Sequence, residues 1–264
     1  ALKRLQNMIK PFVLRRLKSE VLKDLPEKQE AVVYSQMEGE QKKLYTAMLS
    51  QFREDILNIS EESFGAERMN VLAKLMRLRQ ICCDPSLSFE NFNDTSAKLE
   101  TCMELVRGAI DSGHKILLFS QFTTMLGIIA DRLAKEEISY YTLTGDVPKE
   151  ERTKMAEAFN RDDTKVFLIS LKAGGTGLNL TGADIVIHYD PWWNVAVQNQ
   201  ATDRAHRIGQ LRKVNVYKLI AKNSIEEKIL KLQEGKERLA NQVVSDEVSG
   251  FSVFSKEELL KLFE

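Results

Sequence analysis

The sequence predicts an α/β protein, a parallel sheet with helices on both faces, preceded by a mainly helical region. Three observations carry that expectation. From residue 97 onward, short apolar segments alternate with helical stretches, the pattern of strands buried on both sides. Ahead of them, apolar residues recur at three- and four-residue intervals over two long stretches. Between the two lies a polar run, 84–96, with Pro85 and several Ser and Asn, which reads as a loop and a boundary.

Taken in order, residues 2–22 are amphipathic, with Pro11 interrupting or restarting the helix. Residues 31–34 are a short β-branched run. A helix over 39–59 carries Leu44, Met48, Phe52, Ile56 and Ile59 on one face, and one over 66–81 carries Leu72, Leu75, Met76 and Arg79. Strands are expected at 115–120, 139–144, 165–170, 184–188 and 213–220, with helices near 122–137, 148–160 and 194–208. The connections should be right-handed crossovers, with ligands beyond the carboxyl ends of the strands. A long helix over 224–244 opens on Ser224 and Glu227, the spacing of a capping box. The chain thus divides into a leading segment 1–28, a helical region 29–95, a sheet domain 96–244 and a tail 245–264 ending in an amphipathic helix, 256–263.

At 264 residues the chain can bury a substantial core. Basic and acidic residues balance at 38 each, so bulk charge points to no polyanion. Residues 1–28 are locally basic, eight cationic side chains against three acidic, which suits phosphate or simply a solvated helix face. Cys82, Cys83 and Cys102 fit neither a disulfide framework nor a zinc pattern, and a reducing compartment follows. No apolar run approaches a membrane span, and no signal peptide opens the chain. The start inside a basic helical pattern, without Met, reads as a cut from a longer protein.

Gln200, Arg204 and Arg207 stand at offsets of four and three, which on a helix aligns them along one face. Two guanidiniums from one rigid face suit a triphosphate, since each presents a planar fork to anionic oxygens. Asp203 lies four before Arg207, so a plain surface ion pair is equally available. Gly174, Gly175 and Gly177 follow a strand but lack the third glycine of the dinucleotide fingerprint, position 180 being Leu. No P-loop and no Asp-Glu-x-His box occur anywhere. The glycines let backbone N–H groups approach a phosphate, with Lys172 alongside, or merely permit a tight strand-to-helix turn. Ser120 offers a hydroxyl to phosphate or caps the next helix. His188, inside a strand, reads as a core histidine, and no residue set reads as a metal site. Asp190 orients the arginine segment or caps a turn. Trp192 and Trp193 are the only tryptophans.

The runs LISLKAGGTGLNLTGADIVIHYDPWWN (168–194) and QATDRAHRIGQ (200–210) together resemble the second motor lobe of the SWI/SNF family, helicase-like ATPases that translocate on double-stranded DNA. Residues 170–180 resemble motif V and 200–210 motif VI. ILLFSQFT (116–123) is similar to motif IV, and LTGDVPKEERTKMAEAFN (143–160) to the segment after it. PFVLRRLKSEVLKDLPEK (11–28) and LRQICCDP (78–85) resemble the leading and helical-insertion segments. The resemblance implies a RecA-like parallel sheet with a helical protrusion over 29–95.

It also implies roles. Arg204 and Arg207 would be arginine fingers, with Gln200 positioning nucleotide or water and Gly177 near the nucleotide cleft. Lys172, Gly174 and Thr176 would touch the tracked DNA strand, as would Ser120 and Gln121, and Trp193 would be the exposed tryptophan at the DNA surface. Position 192 is commonly more polar in the family, which leaves Trp192 without an implied role. ATP and Mg²⁺ would be held mainly by a first RecA-like lobe that this sequence lacks, so the chain alone should hydrolyse nothing. Double-stranded DNA, that first lobe and a nucleoprotein cargo are the implied partners, with no membrane. A bacterial cytoplasm is favoured by the lack of long basic or low-complexity stretches, the nucleus if the source is eukaryotic. The competing reading is a non-catalytic DNA- or protein-docking module derived from such a lobe. A self-sufficient Rossmann enzyme fails on the missing glycine and on the want of an acid–base pair.

Overall fold

The computed structural model describes residues 25–60, 62–173, 177–242 and 260. Its strands are β1 (Lys28–Ser35), β2 (Ile116–Ser120), β3 (Tyr140–Leu143), β4 (Val166–Ser170), β5 (Ile185–His188) and β6 (Val214–Ala221). Its helices are α1 (Gly39–Leu57), α2 (Phe64–Cys83), α3 (Ala97–Asp111), α4 (Thr123–Lys135), α5 (Lys149–Arg161), α6 (Val195–Thr202) and α7 (Ile225–Gln242). The strands pair in parallel, in the order β1-β6-β5-β2-β4-β3.

Every residue of β2, β4 and β5 is buried, which is why ILLFS, VFLIS and IVIH read as continuous apolar runs. Alternation along each strand divides them between two cores. Ile116, Leu118, Val166, Leu168, Ile185 and Ile187 pack under α3 and α4, against Met103, Val106, Met125 and Ile129. Leu117, Phe119, Phe167, Ile169 and Val186 face the other way, onto Phe159 of α5 and onto Ala201 and Ala205. Each such side chain contributes about 1.5–3 kcal/mol on burial, so these two layers dominate the domain's stability.

The expected boundary at residue 29 cuts through an element of the sheet. β1 pairs with β6 along its whole length, from Lys28↔Val214 to Ser35↔Ala221, and so belongs to the sheet and not to the helical region. Most of its residues are exposed because it is an edge strand. Burial therefore left little pattern in the sequence beyond the run 31–34.

The helical pair α1–α2 shares a core with the sheet domain. Tyr45, Phe52, Ile56, Val71, Leu75 and Leu78 cluster with Trp193, Ile225 and Ile229. The Ile225 N–H donates to Tyr45 Oη at 2.8 Å, and Gln41 Nε2 donates to the Ile81 carbonyl at 2.9 Å. The expected leading helix falls outside the described residues, as does the tail helix apart from Leu260, which packs on this cluster.

β2 has β4 on one side and β5 on the other, so the chain crosses over β2 between β4 and β5. The carboxyl ends of these three strands therefore form the switch point at which sheets of this kind hold ligands. Among the described residues no helix is long and apolar enough to cross a membrane.

Candidate functional site

The segment carrying the two arginines differs from expectation in one respect. α6 is capped by Asn194, whose side chain accepts from the Ala196 N–H at 2.9 Å, but it stops at Thr202 and does not run to 208. The carbonyls that would continue it are engaged elsewhere. Arg204 O accepts from the Leu180 N–H at 3.0 Å, and Ala205 O accepts from Gln210 Nε2 at 3.2 Å. Gln200 is thus exposed on the helix, while Arg204 and Arg207 lie on the turn that follows it. The helical-face alignment of the three is corrected; tertiary hydrogen bonds override the local spacing.

The arginine segment is tied to the glycine turn after β4. Arg207 Nη1 lies 3.4 Å from both the Gly177 and the Leu178 carbonyls. Gly177 takes φ +67°, a left-handed conformation that L side chains rarely adopt. Arg204 is only 7% exposed. Burial, and then the neighbouring Arg207 charge, draw its guanidinium below the ordinary value, with Asp203 opposing. Two cations therefore interact beside a turn that only glycine adopts readily, an arrangement that favours an anionic ligand. Gln210 braces both segments. Its Nε2 lies 2.8 Å from the Ala183 carbonyl and 3.2 Å from those of Thr181 and Ala205, which share its two hydrogens, and its Oε1 accepts from the Arg212 N–H at 2.8 Å. Lys172 is exposed at the start of the same turn, whereas Gly174 and Thr176 lie outside the described residues.

A second cluster lies at the ends of β2 and β5, around Asp190. Asp190 Oδ1 accepts from Ser120 Oγ at 2.6 Å and from the Gln121 N–H at 3.2 Å. Its other oxygen meets Arg79 Nη2 of α2 at 3.2 Å. Burial drives the Asp190 carboxyl above its ordinary value; the Arg79 charge and the Ser120 hydroxyl oppose this. Ser120 is 1% exposed, and its Oγ also accepts from the Phe122 N–H at 3.1 Å. Its expected role as a direct phosphate contact is thus corrected to that of a cap on the turn into α4. Gln121 is partly exposed, with Nε2 3.4 Å from Met76 Sδ. Trp193, expected to be exposed, is 9% exposed and belongs to the core under α2, while Trp192 is the more accessible of the two. Both rings flank the buried Arg79 guanidinium, at 5.7 Å (Trp192) and 5.5 Å (Trp193). A cation supplied by α2, 114 residues earlier in the chain, reverses the outward reading.

His188 is a core histidine, 2% exposed, stacked on Phe119 and bonded through Nε2 to Thr202 Oγ1 at 2.8 Å. Burial lowers its pKa to about 3, so it stays neutral. Beneath the helical pair, Lys98 and Glu226 form an ion pair with no exposed surface. Burial is the largest influence and works against the ammonium, but the facing Glu226 carboxylate together with Cys83 and Cys82 holds Lys98 above its ordinary value. All three cysteines are free and buried, and burial pushes the Cys102 thiol up to about 12.

With this geometry in view, comparison with known proteins is informative. The profile of the helicase conserved C-terminal domain matches residues 97–209, and that of the SNF2-related domain matches residues 1–87. The Sulfolobus solfataricus SWI2/SNF2 ATPase C-terminal domain superimposes with a TM-score of 0.72 at 33% identity, covering 89% of this chain and 98% of that one. The chain belongs to the SWI2/SNF2 ATPase family. The S. solfataricus SWI2/SNF2 ATPase core in complex with dsDNA matches at a TM-score of 0.74 and 36% identity, over 98% of this chain and 55% of that one. A putative ATP-dependent helicase/translocase of Bacillus subtilis, YwqA, is 40% identical over 98% of this chain and 28% of its own length. The chain spans about a quarter of the length of the curated relatives it matches.

In this SWI2/SNF2 lobe the residues that sequence reading passed over are the braces Gln210 and Glu226, and Asn160. Asn160 Oδ1 accepts from the Gly182 N–H at 2.9 Å, and its Nδ2 donates to the Asn179 carbonyl at 2.9 Å. Arg79 did carry a signal. It falls in helical register with Leu72, Leu75 and Met76, a charge on an otherwise apolar stripe.

Proposed function

We propose that this SWI2/SNF2 chain is the second motor lobe of an ATP-dependent translocase acting on double-stranded DNA, and that its part in hydrolysis is to complete a triphosphate site begun by a first lobe. The observation that carries the reading is that Arg207 reaches the Gly177 carbonyl while its charge acts on the neighbouring, buried Arg204. Like charges that interact in this way favour a polyanion between or before them. In this reading both arginines neutralise charge on the transferring phosphoryl group, and exposed Gln200 orients the nucleotide or water. Gly177 lets its backbone come close. No group of three or more His, Cys, Asp or Glu able to hold a metal occurs among the described residues, so Mg²⁺ would come with the nucleotide on the first lobe.

Lys172, with Gly174 and Thr176, would track the DNA strand, and Gln121 would meet it from the neighbouring strand end. The S. solfataricus relative in complex with dsDNA supports DNA as the track. Because the glycine turn bonds to the arginine segment through Leu180 and Arg204, a shift of the tracked strand would be felt at the finger. The test is the ATPase rate of the full-length protein with and without duplex DNA. Arg207→Ala should lower the DNA-stimulated rate by roughly 10³-fold or more, while duplex affinity is retained. Turnover near the wild-type rate would refute the finger assignment. The 264-residue chain by itself should show no turnover.

A further inference from the structure

α2 belongs to the helical region, yet its last turns are fastened to the sheet domain at the carboxyl ends of β2 and β5. Arg79 is 0% exposed. Its Nη2 donates to Asp190 Oδ2 at 3.2 Å and to the Pro191 carbonyl at 2.6 Å. Its guanidinium sits 5.5 Å from the rings of Phe122 and Trp193 and 5.7 Å from that of Trp192. These three aromatic residues come from the loops that follow β2 and β5. The other oxygen of Asp190 holds Ser120 and the Gln121 N–H, and the Ser120 carbonyl accepts from the Leu171 N–H at 2.9 Å, at the start of the glycine turn. One turn of helix further on, the Cys83 carbonyl accepts from Tyr189 Oη at 3.0 Å and from Ser96 Oγ at 2.7 Å.

A leucine or methionine at position 79 would complete the apolar stripe of α2. A buried ion pair rarely adds stability over such a replacement, because desolvating two charges offsets their attraction. What the guanidinium adds is direction: its Nη2 bonds a carboxylate and a carbonyl while the group lies 5.5–5.7 Å from three aromatic rings, a set of partners that an aliphatic chain cannot hold. We infer that Arg79 is a positioning residue through which the helical region sets the loops after β2 and β5, and with them the start of the glycine turn. Displacement of α2 is transmitted to Gln121 and to the Lys172 turn as a rigid movement. The link from these loops to DNA rests on the function proposed above; the link from Arg79 to the loops does not.

The test uses the full-length protein carrying Arg79→Lys, which keeps the charge but not the planar group that lies among the rings. Hydrogen exchange should quicken by about tenfold at the Gln121 and Phe122 amides, which donate to Asp190 and Ser120, and stay unchanged within β2 and β4. The duplex concentration giving half-maximal ATPase stimulation should rise by about tenfold as well. Should Arg79→Lys fail to fold, Arg79→Met/Asp190→Asn, which leaves no unpaired buried charge, is read in the same way. Wild-type exchange at both amides in either folded variant overturns the inference. Faster exchange with an unaltered duplex requirement upholds the positioning role and counts instead against placing these loops on DNA.

Discussion

Removal of Lys98 is the sharpest probe of how α3 and α7 are fastened together inside the sheet domain. Glu226 begins α7, and its carboxylate takes both the Lys98 ammonium and the Ala221 N–H, the latter at 2.8 Å. Neither ion-pair side chain has exposed surface, so Lys98→Met leaves a carboxylate buried without its main counter-charge. Breaking one partner of such a pair costs about 3–5 kcal/mol. At about 2–4 °C per kcal/mol for a domain of this size, the melting temperature should fall by about 6–20 °C at neutral pH. The loss should also depend on pH. Burial already drives the Glu226 carboxyl upward, and the Lys98 charge is the largest effect opposing it. In Lys98→Met the folded-state pKa therefore lies further above the unfolded value. The folded variant takes up a proton before the unfolded chain does, so its deficit is full at high pH and shrinks as pH falls through the folded pKa. Adding Glu226→Gln, which keeps an acceptor for Ala221 without the charge, should recover most of the loss. Thermal melts at pH 8, 7, 6 and 5 measure all of this. A fall in melting temperature under about 2 °C, or a deficit of constant size across that range, would refute the reasoning.

His188 should make the protein acid-sensitive in a defined window. Its folded pKa of about 3 lies below the ordinary 6.5, so the unfolded chain binds the proton first, and stability present above 6.5 is lost progressively as pH falls towards 3. At about 1.4 kcal/mol per pH unit the total approaches 4–5 kcal/mol, and His188→Gln should flatten that part of the stability–pH curve; an unchanged slope would count against the burial argument. Gly182 permits a close approach, since a Cβ there would lie 2.9 Å from Asn160 Oδ1 and 3.0 Å from Asn160 Cα. Gly182→Ala should destabilise by about 1–3 kcal/mol through overpacking, read from chemical denaturation; a cost within experimental error would mean that α5 yields freely.

The alternation of ILLFS, VFLIS and IVIH with amphipathic segments determined the parallel sheet, because a strand covered on both faces must be apolar at every position. The motif spacing determined which turns carry the chemistry, since glycine at 177 and arginine at 204 and 207 are written in the chain itself. Partners distant in sequence were decided only by the tertiary structure. Whether 31–34 was a strand depended on β6, some 180 residues away, and where α6 ended depended on which groups claimed the carbonyls of Arg204 and Ala205. Trp193 turned inward because α2 delivers a guanidinium beside it, and Ser120 closed on Asp190 because β2 and β5 are neighbours in the sheet. Periodicity reports how one segment meets a surface; it carries no information on which remote hydrogen-bond donor or charge that surface will present.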